Sequence, residues 1–244
     1  MSPSLLADPP RVALITGSAQ GIGKGIALRL AQEGIYIALN DIPQKQAELD
    51  LLVSEINAMG SKAISVPADV SNEEQVKAMI QKTVDSLGSL DIMVANAGLC
   101  KPGRLVDFSV ADFDQLVAVN LRGVMLCYKY AGIQMIKQGR GGRIIGASSI
   151  AGRKGPPNLA AYGATKWAIR GMTHSFAMEM APYNVTVNVY VPGAIMTPMS
   201  MSPINHMAGL PPDAPHAYPD VIASLVAYLT KPEAYFITGM KLSY

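Results

Sequence analysis

The chain of 244 residues is half hydrophobic and only 16% charged, which excludes an intrinsically disordered chain and predicts a large buried core. A net charge of +2, with the basic residues scattered, argues against nucleic acid or an anionic membrane as a main partner. Met1 to Arg11 has no apolar run of signal-peptide length, no stretch approaches the roughly 20 apolar residues of a membrane helix, and Cys100 and Cys127 lack CxxC spacing. The expectation is a cytoplasmic protein with reduced thiols and a single domain over residues 1–244.

In chain order, Val12 to Thr16 is a short apolar run ending in glycines, a first strand, and Gly23 to Glu33 reads as a helix. Tyr36 to Asn40 is a second strand, Gln44 to Met59 a second helix and Ala63 to Pro67 a third strand. Ser71-Asn72-Glu73-Glu74 is a helix start, with a capping side chain and an acidic first turn. Leu90 to Ala95 follows as a fourth strand, then a long helix over Asp112 to Lys137 and a fifth strand, Gly142 to Ala147. Ala161 to Ala181 is a further helix, Val185 to Val191 a sixth strand, and another helix lies near Asp220. Apolar strands alternating with amphipathic helices predict an α/β fold: a single-domain, doubly wound parallel sheet (Rossmann fold) with helices on both faces. Residues 197–219 break the pattern. Their prolines, methionines and two of the three histidines suggest a substrate lid.

Thr16-Gly17-Ser18-Ala19-Gln20-Gly21-Ile22-Gly23 joins the first strand to the first helix. Glycines there let the backbone approach a pyrophosphate, and the helix start presents amides to it. Asp41, at the end of the second strand, could accept the adenine ribose hydroxyls and repel a 2′-phosphate, favouring NAD(H) over NADP(H); a solvated strand-end Asp is the plainer alternative. Asp69 could touch adenine or simply hold a turn. Tyr162 and Lys166 lie four apart, on one face of a predicted helix, where an ammonium together with oxidised nicotinamide would lower the phenol pKa. Ser148-Ser149 follows the fifth strand, Asn96-Ala97-Gly98 the fourth and Pro192-Gly193 the sixth, all on the edge that carries the glycine turn. Asn120 lies within the long helix. His174, His206 and His216 lack metal-ligand spacing, so no metal is expected. Met196, Met199, Met201 and Met207 could line the lid or merely pack.

With these motifs in order from Val12 to about Thr197, the chain resembles the short-chain dehydrogenase/reductase family, and within it diacetyl/acetoin reductases and butanediol dehydrogenases, through the glycine turn and Asn158-Leu159-Ala160-Ala161-Tyr162. The resemblance implies catalysis by Asn120, Ser149, Tyr162 and Lys166. Tyr162 would exchange the proton, Lys166 bind the nicotinamide ribose, Ser149 bond the substrate oxygen and Asn120 hold a water. It implies a cofactor site of Gly17, Gln20, Gly21, Ile22, Gly23, Asp41, Asp69, Val70, Asn96, Ala97, Gly98, Tyr162, Lys166, Pro192, Gly193, Ile195 and Thr197. It also implies a small carbonyl or alcohol substrate and a homo-oligomer, tetramer or dimer. The segment after Pro192-Gly193 looks short for the family, the C-terminus lacks its usual acidic residue and glycines, and Ile150 stands where diacetyl-type enzymes often carry Gln. Isomerisation, elimination or cyclisation of a less polar substrate, or non-catalytic nucleotide sensing, are the alternatives.

Overall fold

The protein was analysed as a computed structural model that describes residues 10–201 and 215–243. Seven parallel strands form one sheet in the order β3-β2-β1-β4-β5-β6-β7. They are β1 (Val12–Thr16), β2 (Tyr36–Asn40), β3 (Ala63–Ser65), β4 (Ile92–Ala95), β5 (Gly142–Ala147), β6 (Val185–Val191) and β7 (Lys241–Ser243). The helices are α1 (Gly21–Gln32), α2 (Gln46–Ala58), α3 (Glu73–Leu87), α4 (Val110–Leu116), α5 (Gly123–Gln138), α6 (Ala160–Met180) and α7 (Pro219–Thr230).

Side-chain alternation along the strands builds two buried layers. Ala13 and Ile15 of β1 and Ile92 and Val94 of β4 face one side, where Ile26 and Leu30 of α1, Leu52 and Ile56 of α2, and Ile222 and Val226 of α7 cover them. Leu14 and Met93 face the other, under Val76 and Ile80 of α3, Val124 and Cys127 of α5, and Ile169 of α6. Burying each large aliphatic chain contributes about 1.5–3 kcal/mol, which is why the strands read as unbroken apolar runs. From β1 the chain steps outward through β2 and β3, then returns to build β4 to β7 on the opposite side. That reversal between β1 and β4 opens a crevice at the strands' C-terminal ends.

The doubly wound parallel sheet agrees with the sequence expectation, with two differences. The single long helix expected over Asp112 to Lys137 begins at Val110, where Ser109 caps it by accepting from the Asp112 amide at 3.0 Å, and it passes through a π-helical stretch, Val117–Arg122, before α5. A seventh strand pairs with β6, Val189 opposite Lys241 and Val191 opposite Ser243. Three residues without an apolar run carry too little periodicity to announce an edge strand. The start read at Ser71-Asn72-Glu73-Glu74 holds: the Asn72 side chain accepts from the Gln75 amide at 3.1 Å. Among the described residues no helix is long and apolar enough to cross a membrane.

Candidate active site

The glycine turn and the end of β4 are stitched into one unit. The Thr16 hydroxyl accepts from the amides of Asn96 and Ala97, each at 3.0 Å, and the Asn96 side-chain amide donates to the carbonyls of Thr16 and Gly17 at 2.8 and 3.1 Å. The Tyr190 hydroxyl, from β6, donates to Asn96 Oδ1 at 2.7 Å. Gly17 sits at φ +66°, with room for little else: a Cβ there would lie 2.9 Å from the Ala97 Cα, and one on Gly23 would lie 2.1 Å from the Gly17 carbonyl oxygen. The side chains are thus excluded from a backbone cradle at the start of α1, where the Gln20 side chain makes no cap hydrogen bond and the first helical amides remain open to an anion.

Beside the cradle lies a cleft of about 460 Å³. Asp41 lines it, its carboxylate accepting from the Ala19 amide at 3.1 Å and the Ile42 amide at 2.9 Å, so the loop itself holds it in place. Lys45 lines the same end and is tied to Glu48 at 2.7 Å, which raises its pKa. Asn40 is fully buried there with its Oδ1 lacking a hydrogen-bond partner. The cradle, the carboxylate and that unpaired acceptor fit a dinucleotide: phosphates at the amides, sugar hydroxyls at Asp41.

At the other end of the cleft, α6 carries Tyr162 and Lys166 one turn apart. Lys166 is 3% exposed, and its Nζ lies 5.6 Å from the centre of the Tyr162 ring and donates to the Ala147 carbonyl at 2.9 Å. Burial depresses its pKa to about 8. Burial pushes the Tyr162 phenol upward, as does nearby Cys100, while the Ser149 hydroxyl pulls it the other way. In the protein without cofactor, desolvation of the phenol outweighs every other influence on it; the lowering expected from the ammonium together with oxidised nicotinamide concerns the loaded site. Ser148 and Ser149 diverge. The Ser148 hydroxyl donates to the Lys166 carbonyl at 2.8 Å, whereas Ser149 faces Tyr162 and accepts from the Ala151 amide at 3.2 Å. Asn120, wholly buried in the π stretch, accepts from the Leu99 amide at 2.7 Å and donates to the Leu99 carbonyl at 2.8 Å and the Thr165 hydroxyl at 3.3 Å. A half-buried phenol and hydroxyl gathered in this way beside a buried ammonium can exchange a proton with a bound oxygen.

Fourteen of the seventeen residues expected at the cofactor line the cleft; Gly23, Gly193 and Ile195 do not. Gly23 acts behind the wall as the close-approach glycine. Ile195 pairs instead with Ala217 in a parallel bridge that pins both ends of the expected lid. Asp69 lines the cleft, but its carboxylate accepts from the amide and hydroxyl of Ser71, both at 2.8 Å, the turn role that was its alternative. Met199 lines the cleft; Met201 is exposed, and His206 and Met207 lie outside the described residues. His174 and His216 are exposed. Sequence reasoning passed over Asn40, Lys45, Tyr190 and Cys100. Burial lifts the Cys100 thiol to about 11. Lys45 ends the short turn Pro43–Lys45 that follows Asp41, a nearness in sequence that could have flagged it; the other three carried no sequence signal.

A family model for short chain dehydrogenases matches residues 11–207. A short-chain dehydrogenase/reductase of Armillaria gallica is 44% identical over 245 residues, covering 96% of this chain and 94% of its own. Among solved structures, an acetoin dehydrogenase from Salmonella typhimurium superposes with a TM-score of 0.85 at 33% identity, over 96% of this chain and 94% of that one. A 3-ketoacyl-(acyl-carrier-protein) reductase from Brucella melitensis, complexed with NADH, gives 0.87 at 32% identity over 96% of each chain. With fold, motif order and near full-length likeness in agreement, the chain belongs to the short-chain dehydrogenase/reductase family, oxidoreductases that transfer hydride with a nicotinamide cofactor.

Proposed function

We propose that the protein is an NAD(H)-linked carbonyl reductase or alcohol dehydrogenase acting on a small ketone or secondary alcohol, with Tyr162 as its acid–base group. The observation that carries this is the meeting of Tyr162 and Lys166 at the cleft that begins at the Gly17 turn, with the Ser149 hydroxyl against the Tyr162 phenol. The nicotinamide supplies or takes the hydride. In reduction, Tyr162 gives its hydroxyl proton to the substrate oxygen as that oxygen gains charge, and Ser149 donates a hydrogen bond to the same atom. In oxidation the phenolate takes the proton back. Lys166 binds the ribose hydroxyls and its charge steadies the phenolate. Asn120 spans Leu99 and Thr165 and holds the wall behind Lys166.

Asp41 favours NAD(H), since its carboxylate would face a 2′-phosphate, and the one lysine beside it is already paired with Glu48. Residues 197–219, of which 202–214 lie outside the described residues, serve as the substrate lid, with Thr197, Pro198 and Met199 lining the cleft and Ile195 bridged to Ala217. The similarity to an acetoin dehydrogenase suits a small ketone, while Ile150 and Met199 favour a substrate with an apolar flank. Exposed Met125, Ile133 and Trp167 on α5 and α6 suit a homo-oligomer.

The deciding experiment is Tyr162→Phe with a panel of ketones and secondary alcohols, followed at nicotinamide absorbance with NAD(H) and NADP(H). We expect cofactor binding within a few-fold of wild type and turnover reduced by about 100-fold or more. Unchanged turnover in the variant removes Tyr162 from the chemistry.

A further inference from the structure

The opposite edge of the sheet holds a second cavity, of about 420 Å³, bounded by Arg11, Asp91, Arg140, Arg143 and the Gly141-Gly142 backbone. Arg11 precedes β1, Asp91 precedes β4, and Arg140 and Arg143 flank the start of β5, so these groups meet at the strands' N-terminal ends, away from the cleft. Asp91 is the only carboxylate among the described residues that line the cavity, and it is fully engaged. It accepts from Arg140 Nε and Nη2 at 2.9 and 2.6 Å, from the Val12 amide at 2.8 Å and from the Ser89 hydroxyl at 2.8 Å.

Among the described residues, the remaining cations have only carbonyls to answer them. Arg11 donates to the Thr230 carbonyl. Arg143 donates to the Gly142 carbonyl at 3.0 Å and reaches the Lys231 carbonyl at 3.5 Å. Thr230 and Lys231 end α7, whose C-terminus offers roughly half a negative charge. Arg143 Nε is buried without a partner, and both burial and the like charge of Arg11 bear on its guanidinium. Among the described residues, two guanidiniums held side by side against half a charge leave a surplus of about one and a half positive charges. Glu233 is exposed and outside the cavity wall. A tetrahedral oxyanion answers this arrangement, because guanidinium forks bind such groups with paired N–H donors.

We propose that Arg11, Arg140 and Arg143 form a second binding site, for inorganic phosphate or a small phosphate ester, at the edge of the sheet opposite the cofactor cleft. The test is isothermal titration of the full-length protein at constant ionic strength with inorganic phosphate and, separately, glycerol 3-phosphate. NADH is present at saturation, so that the cradle at Gly17 cannot take the anion. One saturable site is expected, weakened at least tenfold by Arg143→Gln and by Arg11→Gln. Tighter binding of the ester identifies an ester as the ligand and equal binding a free anion; both support the site. Affinity unchanged in both variants, no saturable binding, or binding abolished by NADH in the wild type overturns it. Because the NADH competition needs no variant, it decides even if a substituted chain fails to fold. Absence of NADH binding would count against the cofactor reading alone, leaving the comparison of variants intact.

Discussion

Lys166 stands one helical turn beyond Tyr162, its Nζ 5.6 Å from the ring centre, yet its hydrogen bond goes to the carbonyl of Ala147. The ammonium is thereby held at a fixed height beneath the phenol at the expense of its hydration. Its folded pKa of about 8 lies below the 10.5 of the exposed group, so burying the charge opposes folding. That penalty is complete below pH 8 and disappears as pH rises towards 10.5, where the unfolded chain also loses the proton. Lys166→Met should therefore stabilise the fold at pH 7 by about 2 kcal/mol, the shift being worth about 3 and the lost hydrogen bond about 1. Turnover should collapse in the same variant. Urea unfolding at pH 7 and pH 10 checks this: an equal or larger gain at pH 10 contradicts the assigned cause.

The same two residues set a pH dependence for the chemistry. Burial keeps Tyr162 protonated, the form that reduction of a carbonyl needs. Reduction should therefore hold steady through neutrality and decline as Lys166 loses its proton near pH 8. Oxidation needs the phenolate and should rise with pH over the neutral range. Rate profiles taken in both directions, with buffers matched in ionic strength, test the pair. A reduction rate that climbs steadily from pH 7 to 9 is incompatible with this assignment.

Gly23 makes the third test. A Cβ at this position would lie 2.1 Å from the Gly17 carbonyl oxygen and 2.7 Å from the Asn96 side-chain nitrogen, so neither backbone nor staple can stay in place. Gly23→Ala should weaken NADH binding by at least about tenfold, a loss of 1.4 kcal/mol or more, while circular dichroism keeps the α/β signature. Wild-type affinity measured by nicotinamide fluorescence would show that the cradle does not hold the cofactor.

Much of this could be read from the chain because its signals are local. Val12 to Thr16 and Val185 to Val191 are apolar runs that only a covered parallel strand explains, and their limits match β1 and β6. The spacing of Tyr162 and Lys166 fixes their shared helix face before any coordinates exist. Other features depend on what the chain folds against. The π stretch around Asn120 has ordinary helical composition, and its register reflects the bonds from Asn120 to Leu99 and Thr165. Tyr190 looks like one more strand residue until its hydroxyl meets Asn96 across the intervening strand β5. The upward direction of the Tyr162 pKa in the protein without cofactor had no sequence signal for the same reason: spacing supplies the neighbour, but desolvation belongs to the assembled site.

Asp41 and Lys45 offer opposite instructions to a cofactor, and Glu48 decides between them. Asp41 is fixed by the amides of Ala19 and Ile42, so its charge faces the cleft, while Lys45, which would welcome a 2′-phosphate, is held by Glu48 at 2.7 Å. Asp41→Ser alone should relax the preference by weakening NAD use and lifting the repulsion of NADP. Adding Glu48→Gln removes the competing carboxylate and should turn the lysine towards the phosphate. The ratio of kcat/KM for NADP(H) over NAD(H) is expected to rise at least about tenfold in the single variant and further in the double, a change of 1.4 kcal/mol or more. Lys45 and Glu48 are partly open to solvent, so the second step should shrink as salt is raised. If the single variant leaves the ratio at the wild-type value, Asp41 is only a strand-end carboxylate holding its loop, and discrimination lies elsewhere in the cleft.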